Sequence, residues 1–469
     1  MNNSLKRGMT VVLIANIINL CFSLLSSFIL PRFLTVDTYA SIKTFQLYAA
    51  YAGLLHLGYV DGVYLKYGGK NLSEIGRASL IDSLSTLRIF QIVVNIIGVL
   101  IGVFARDPIL VLFGLSILPA NMVAYFKYLY QSVGEFDIYG RVLNGTTISY
   151  FVLDIILIFI VRTDNPYPYI FVFIIVDVVL WIILETYIQR KTKLSFHFFR
   201  FSPYVLLDNI KSGILLTLGN FSSILLTGLD LWFVKLLMNS TAFAQYSFAV
   251  SMQNFMNVAV TPISITMYNY FCKEKDINKI HQIRNSVMVF AVALISCAFP
   301  VKFILEHFLQ KYLESTKVIF LLFGAQLFYI IIKSIYVNLY KANKEQHKYF
   351  IKLVIVIFVG FVFNIVCYSL YHVKEAFAVG TFLSAIVWLI LCSLDHKEIS
   401  FSLKEIFYLI VEVVLYLVCG YGLNSILGFV IYVVCTVVLS LLLMKGEFIN
   451  LVKICKLTVF RKLVRVNKS

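Results

Sequence analysis

The sequence predicts an all-α polytopic membrane protein of about 14 transmembrane helices, two bundles of six followed by a C-terminal pair. Three observations carry that prediction. Of the 469 residues, 60% are hydrophobic and only 14% are charged, against about 25% charged in a soluble domain. Apolar runs of roughly 20 residues, the length a helix needs to cross a bilayer, recur from one end of the chain to the other. The 40 Lys and Arg concentrate in alternate connections, as they do in cytoplasmic loops.

The spans fall at 9–30, 39–61, 80–104, 109–130, 143–162, 168–188, 211–237, 241–271, 286–308, 317–340, 350–371, 375–394, 404–424 and 427–444. The first run follows Lys6 and Arg7 but ends at Pro31 and Arg32 without a small-residue cleavage site, so it counts as a span and not as a signal peptide. The basic connections are the N-terminus, 62–79, 131–142, 189–211, 272–285, 341–352, 395–404 and the C-terminal tail. With an even number of spans, both termini are expected in the cytoplasm. The net charge of +16 then reports topology rather than affinity for nucleic acid.

The longest inside connection follows the sixth span. It divides the chain into an N-terminal lobe (1–190), a cytoplasmic connection (191–210), a C-terminal lobe (211–397) and a last segment (398–469) with two helices and a basic tail. A weak repeat supports two lobes. Pro31-Arg32-Phe33-Leu34 with Tyr39 after it matches Val234-Lys235-Leu236-Leu237 with Tyr246 after it, and Asn16 and Asn220 fall at matching depth. An even number of spans separates the copies, so they run in the same direction.

Signatures of bond chemistry are missing. No G-x-x-x-x-G-K-[ST] loop can cradle nucleotide phosphates and no H-E-x-x-H pair can bind zinc. The eight Cys contain no C-x-x-C pair and sit mostly in apolar runs, where Cys behaves as a small hydrophobic residue. Of the seven His, His56 lies within a span, as a packing residue, and His307 at the very end of one. An enzyme is not expected, and neither is a metal or cofactor.

Polarity inside the spans is the informative signal. In Gly213–Phe271, Thr217, Asn220, Ser223, Thr227 and Asp230 recur at helical spacing, and so do Asn254, Asn257, Thr261 and Ser264. Each set makes one polar stripe on an apolar cylinder, which must face another helix or a water-filled cavity. Lys43, Arg88 and Lys333 lie within spans; Arg88 shares a face with Gln91 and Asn95, and Lys333 shares one with Gln326. Arg32 and Lys235 stand at the outer ends of the two repeat-related helices. Among the acids, Asp61, Asp154, Asp177 and Asp230 either pair with an interior base or, at Asp154 or Asp230, carry a coupling proton or sodium ion.

Several phrases add up: Leu30-Pro-Arg-Phe-Leu with Tyr39, HLGYVDGVYLKYGGK at 56–70, LDLWFVKLLM at 229–238 with YSFAVSM after it, TPISITMYNYF at 261–271 and NLYKANKEQHKYF at 338–350. Together they resemble the Wzx-type lipid-linked oligosaccharide flippases, the polysaccharide transporters of the multidrug/oligosaccharidyl-lipid/polysaccharide exporter superfamily. The resemblance covers the first twelve spans. It implies two six-helix lobes in a V around a central cationic cavity, and a substrate made of a polyprenyl tail, a pyrophosphate and a short glycan.

On that reading, Lys43, Arg88, Lys333, Arg32 and Lys235 are the candidate phosphate-binding cations. Asn220, Thr227, Asn254, Asn257 and Gln326 are the candidate sugar-binding side chains. The expected partners are membrane lipids and the polymerase and chain-length machinery of O-antigen, capsule or exopolysaccharide assembly. The expected location is the bacterial cytoplasmic membrane. The competing readings are a cation-coupled drug antiporter of the same superfamily and a membrane polysaccharide polymerase or ligase. The antiporter would need an acidic cavity, and the enzyme a large outer loop that this chain does not have.

Overall fold

The computed structural model describes residues 3–192 and 200–453, without the side chains of 3–15, 257–259, 261, 262, 265 and 269. Every regular element among the described residues is helical. Lipid offers no partners for backbone N–H and C=O groups, so a spanning helix must satisfy its own. Among the described residues, eleven helices are long and apolar enough to cross a membrane. Helical segments at 36–67, 240–273 and Leu403–Gly422 occupy the places of the other three expected spans. The chain is a multi-pass, all-α membrane protein. It forms two compact units, Met1–Thr227 and Gly228–Ser469. Of the connection at 189–211, residues 193–199 lie outside the described residues, as does the tail beyond 453.

The first unit holds α1 (Asn3–Phe33), α2 (Val36–Ala49), α3 (Tyr59–Tyr67), α4 (Arg77–Phe104), α5 (Pro108–Ser132), α6 (Phe136–Ile156), α7 (Pro166–Thr192) and most of α8 (Pro203–Leu237). Its core is rich in Tyr: Tyr59 donates to Ser83 O at 2.8 Å and Tyr125 to Ser83 Oγ at 3.2 Å. α3 and α8 touch backbone to backbone. A Cβ added to Gly62 would lie 2.0 Å from Asn209 O, and one added to Gly213 would lie 2.1 Å from Gly58 O. Only glycine fits at either position.

The span expected at 39–61 is not one helix, which corrects the sequence reading. α2 stops at Ala49, a 3-10 turn covers Ala52–His56, and Leu57 and Gly58 take positive φ (52° and 89°) before α3 begins. Buried amides take up carbonyls at the break. Asn121 Nδ2 donates to Ala52 O (3.1 Å) and Gln91 Nε2 to Leu55 O (3.2 Å), while His56 Nδ1 accepts the Gly58 N–H (3.1 Å). A broken helix survives at membrane depth when neighbours satisfy its backbone in this way.

The second unit holds α9 (Ser240–Asn254), α10 (Met256–Lys273), α11 (Ile277–Ile295), α12 (Ala298–His307), α13 (Thr316–Ile331), α14 (Val337–Ala342), α15 (Gln346–Tyr371), α16 (Lys374–Asp395), α17 (Leu403–Gly422) and α18 (Ser425–Leu443). The span expected at 241–271 breaks at Phe255, and that expected at 317–340 contains a π-helical turn, Ile332–Tyr336. The C-terminal pair is built into this unit. Arg284, fully buried, donates to Glu405 Oε2 (2.6 Å) and lies over the Phe401 ring, while Asn285 Nδ2 donates to Glu405 Oε1 (2.6 Å). Glu405 also closes a capping box with Ser402 at the start of α17. Farther along, Tyr432 donates to Val292 O at 2.9 Å.

Candidate functional site

The polar residues of α8 divide by exposure. Thr217 is buried in the first unit and donates to Asp61 Oδ2. Asp230 is buried in the second, where Tyr246 OH (2.7 Å) and Thr381 Oγ1 (3.0 Å) donate to Oδ2 and Leu231 N (2.8 Å) to Oδ1. Between them Asn220, Ser223 and Thr227 are exposed, on a helix that is otherwise apolar enough for lipid. One amide and two hydroxyls on a single helix face suit sugar hydroxyls, which both donate and accept. Of the second stripe, Asn254 is exposed at the end of α9 and Ser264 faces α14. The side chains of Asn257 and Thr261 lie outside the described residues.

Lys333 sits on the π-helical turn. Such a turn changes the hydrogen-bond register, and it is a frequent mark of functional sites. Its carbonyl accepts from Ser264 Oγ (2.9 Å) and Asn338 Nδ2 (3.1 Å), so side chains of α10 and α14 hold the backbone in place. The Lys333 ammonium lies 5.6 Å from the centre of the Tyr329 ring. Among the described residues it has no carboxylate or hydrogen-bond acceptor. Gln326, two turns earlier, is buried. A half-buried ammonium held only by an aromatic face remains able to take an anion.

Arg88 is different. The sequence reading left it without a counter-charge, but its guanidinium is buried and ion-paired with Glu185 of α7. Trp181 Nε1 adds a hydrogen bond to Glu185 Oε2 at 2.8 Å. Its expected face-mates are also committed. Gln91 holds the helix break and accepts from Asn121 Nδ2 (2.7 Å), and Asn95 Oδ1 accepts from Leu118 N (3.2 Å). Glu185 and Asn121 were missed because each lies in an apolar stretch at no telling spacing from Arg88 or Gln91. The only available signal was that a buried cation needs a partner.

The remaining candidates scatter. Lys43 Nζ donates to Gln46 Oε1 (3.0 Å) and lies over the Tyr39 ring. Lys235 lies over the Phe243 ring, and Arg32 is exposed at the end of α1. Asp177 accepts from Tyr150 OH (3.1 Å). Asp154 is buried with no ion pair or side-chain hydrogen bond among the described residues. Those residues contain no cluster of His, Cys, Asp or Glu fit to hold a metal ion.

No family model and no curated protein matches this sequence. Among solved structures, the lipid II flippase MurJ in an inward closed conformation superposes with a TM-score of 0.65 at 13% identity, covering 93% of this chain and 99% of that one. The chain has the fold of MurJ. The eukaryotic MATE transporter AtDTX14 matches with a TM-score of 0.50 at 13% identity, over 83% of this chain and 93% of that one. At this identity MurJ shares the path of the backbone with this chain, so the roles of Lys333, Asp230 and the exposed face of α8 rest on their own geometry.

Proposed function

We propose that this protein is a flippase for polyprenyl-pyrophosphate-linked oligosaccharide repeat units, working by alternating access in surface polysaccharide assembly (O-antigen, capsule or exopolysaccharide). The observation that carries this reading is Lys333, a cation on a π-helical turn at membrane depth with an aromatic neighbour and, among the described residues, no acid. A pyrophosphate diester carries two negative charges, and leaving them unmatched in a low-dielectric site costs several kcal/mol or more. Lys333 supplies a charge for the phosphates, and Asn220, Ser223 and Thr227 supply donors and acceptors for the glycan. The tail needs no polar route and stays in lipid.

Lys43, Arg32 and Lys235 are secondary cations along the route. Arg88, matched by Glu185, acts mainly in holding the first unit together. Asp230 is the candidate coupling site for a proton or sodium ion, with Asp154 as the second candidate, since neither has a basic partner among the described residues. A drug antiporter would use the same acids but has no need of Lys333. On this reading the protein works in the bacterial cytoplasmic membrane with both termini inside, next to the polymerase and chain-length machinery.

The test is the lipid-linked pool of a strain lacking this protein. Complete repeat units should accumulate on the inner leaflet, out of reach of an externally added lectin, and return to the outer leaflet on complementation. Normal outer-leaflet exposure in the deleted strain would refute the reading. Reporter fusions after residues 200 and 469 should both read cytoplasmic.

A further inference from the structure

At one end of the second unit, the ends of four helices line a solvent-open cavity of about 410 Å³, with Lys317 and Glu314 exposed at its rim. Its walls include Lys302 of α12, Glu314 from the turn before α13, Lys317 of α13, Lys374 and Glu375 at the start of α16, and Tyr421 near the end of α17. Two of these cations are structural. Lys302 Nζ donates to Gly420 O at 2.7 Å and to Leu423 O, capping the C-terminus of α17. Lys374, buried, bonds Gln245 Oε1 and lies 3.2 Å from Glu314 Oε2.

Two charges are left over. Neither the Lys317 ammonium nor the Glu375 carboxylate has a hydrogen bond or ion pair among the described residues, although both line the cavity. α16, whose first residues Lys374 and Glu375 line the wall, also begins without a side-chain cap, so its N-terminal end favours an anion. The cavity therefore offers a cationic side (Lys317, Lys374 and the start of α16) and an acidic side (Glu314 and Glu375). It lies at the ends of membrane-spanning helices, the level at which lipid headgroups sit.

We propose that this cavity binds a phosphoethanolamine group. The phosphate diester sits against Lys317 and the first turn of α16, and the primary ammonium donates to Glu375 and Glu314. A headgroup that is only anionic meets two opposing carboxylates. A quaternary ammonium satisfies the charge of the carboxylates but has no N–H to donate to them. On the topology proposed above, the cavity opens at the outer face. The assignment does not depend on the transported substrate.

The experiment uses the purified full chain in phosphatidylcholine nanodiscs supplemented with phosphatidylethanolamine or phosphatidylglycerol, with retained lipid counted by native mass spectrometry. Wild type should retain phosphatidylethanolamine about tenfold over either other lipid, the scale of one charge-assisted hydrogen bond. Lys317→Gln and Glu375→Gln should each remove the preference, and Lys317→Arg should keep it. Soluble glycerophosphoethanolamine is the second arm. Competition by it shows that the cavity reads the group alone, and no competition alongside lipid retention shows that the group is read on a bilayer; both outcomes support the site. Equal retention of phosphatidylglycerol, or a preference that survives in a Lys317→Gln, Glu375→Gln double variant with an unchanged melting temperature, would overturn it.

Discussion

Replacing Lys333 by Ala separates a functional charge from a structural one. Among the described residues the ammonium contacts the Tyr329 ring, 5.6 Å away, an interaction worth about 0.5–2 kcal/mol. Removing a charge from membrane depth offsets that loss. The backbone at this position is held independently, because the Lys333 carbonyl keeps its bonds from Ser264 and Asn338 whatever the side chain. Lys333→Ala should therefore insert and melt within about 1 kcal/mol of wild type. Its effect on the substrate is larger. One hydrogen bond to a charged group is worth about 1.5–3 kcal/mol, so affinity for a pyrophosphate-linked glycan should fall roughly 10- to 150-fold. Lys333→Arg keeps the charge and should retain part of the activity. The assay is reconstitution into proteoliposomes, with lectin capture of glycan at the far leaflet and equilibrium binding to the same protein. If Lys333→Ala, correctly inserted, binds and flips at wild-type levels, the anion is handled elsewhere and the assignment fails.

Three further outcomes follow from the geometry. Arg88→Ala should destabilise the first unit by about 3–5 kcal/mol by leaving Glu185 buried and unpaired, whereas Arg88→Met with Glu185→Gln should recover most of the melting temperature; a double variant as unstable as the single would refute a structural role. In a Cys-free background, Cys at 220, 223 and 227 should react with hydrophilic thiol reagents and Cys at 217 and 230 should be protected; uniform protection would mean that the exposed stripe meets lipid or protein rather than water. Asp230→Asn should remove any dependence of transport on an imposed proton or sodium gradient without loss of insertion, and an unchanged gradient dependence would move the coupling site elsewhere, with Asp154 next.

Much of the architecture is a property of composition. A chain with this many apolar runs has no way to bury them except by crossing a bilayer, and lipid forces each run to satisfy its own backbone. The multi-pass character and the all-α class are thus readable one segment at a time, because they depend on local length and polarity. Partners are not readable in that way. Arg88 and Glu185 are separated by 97 residues, Asp61 and Thr217 by 156. Nothing in the local sequence says that α7 brings a carboxylate to α4, or that Gly62 and Gly213 let α8 approach α3 closely enough for Thr217 to reach Asp61.

The helix break at Leu57 and Gly58 is of the same kind, since it depends on Asn121 and Gln91 arriving from other helices. Periodicity placed Asp230 and Asn220 on one stripe of α8, and only the tertiary structure decided that Asp230 is enclosed while Asn220 is exposed. Charge inside a span is visible in sequence. Whether that charge is matched by a carboxylate, as at Arg88, or lies against an aromatic ring, as at Lys333, is decided by which side chains the fold brings within a few ångströms, because electrostatic matching is a property of distance in space and not along the chain.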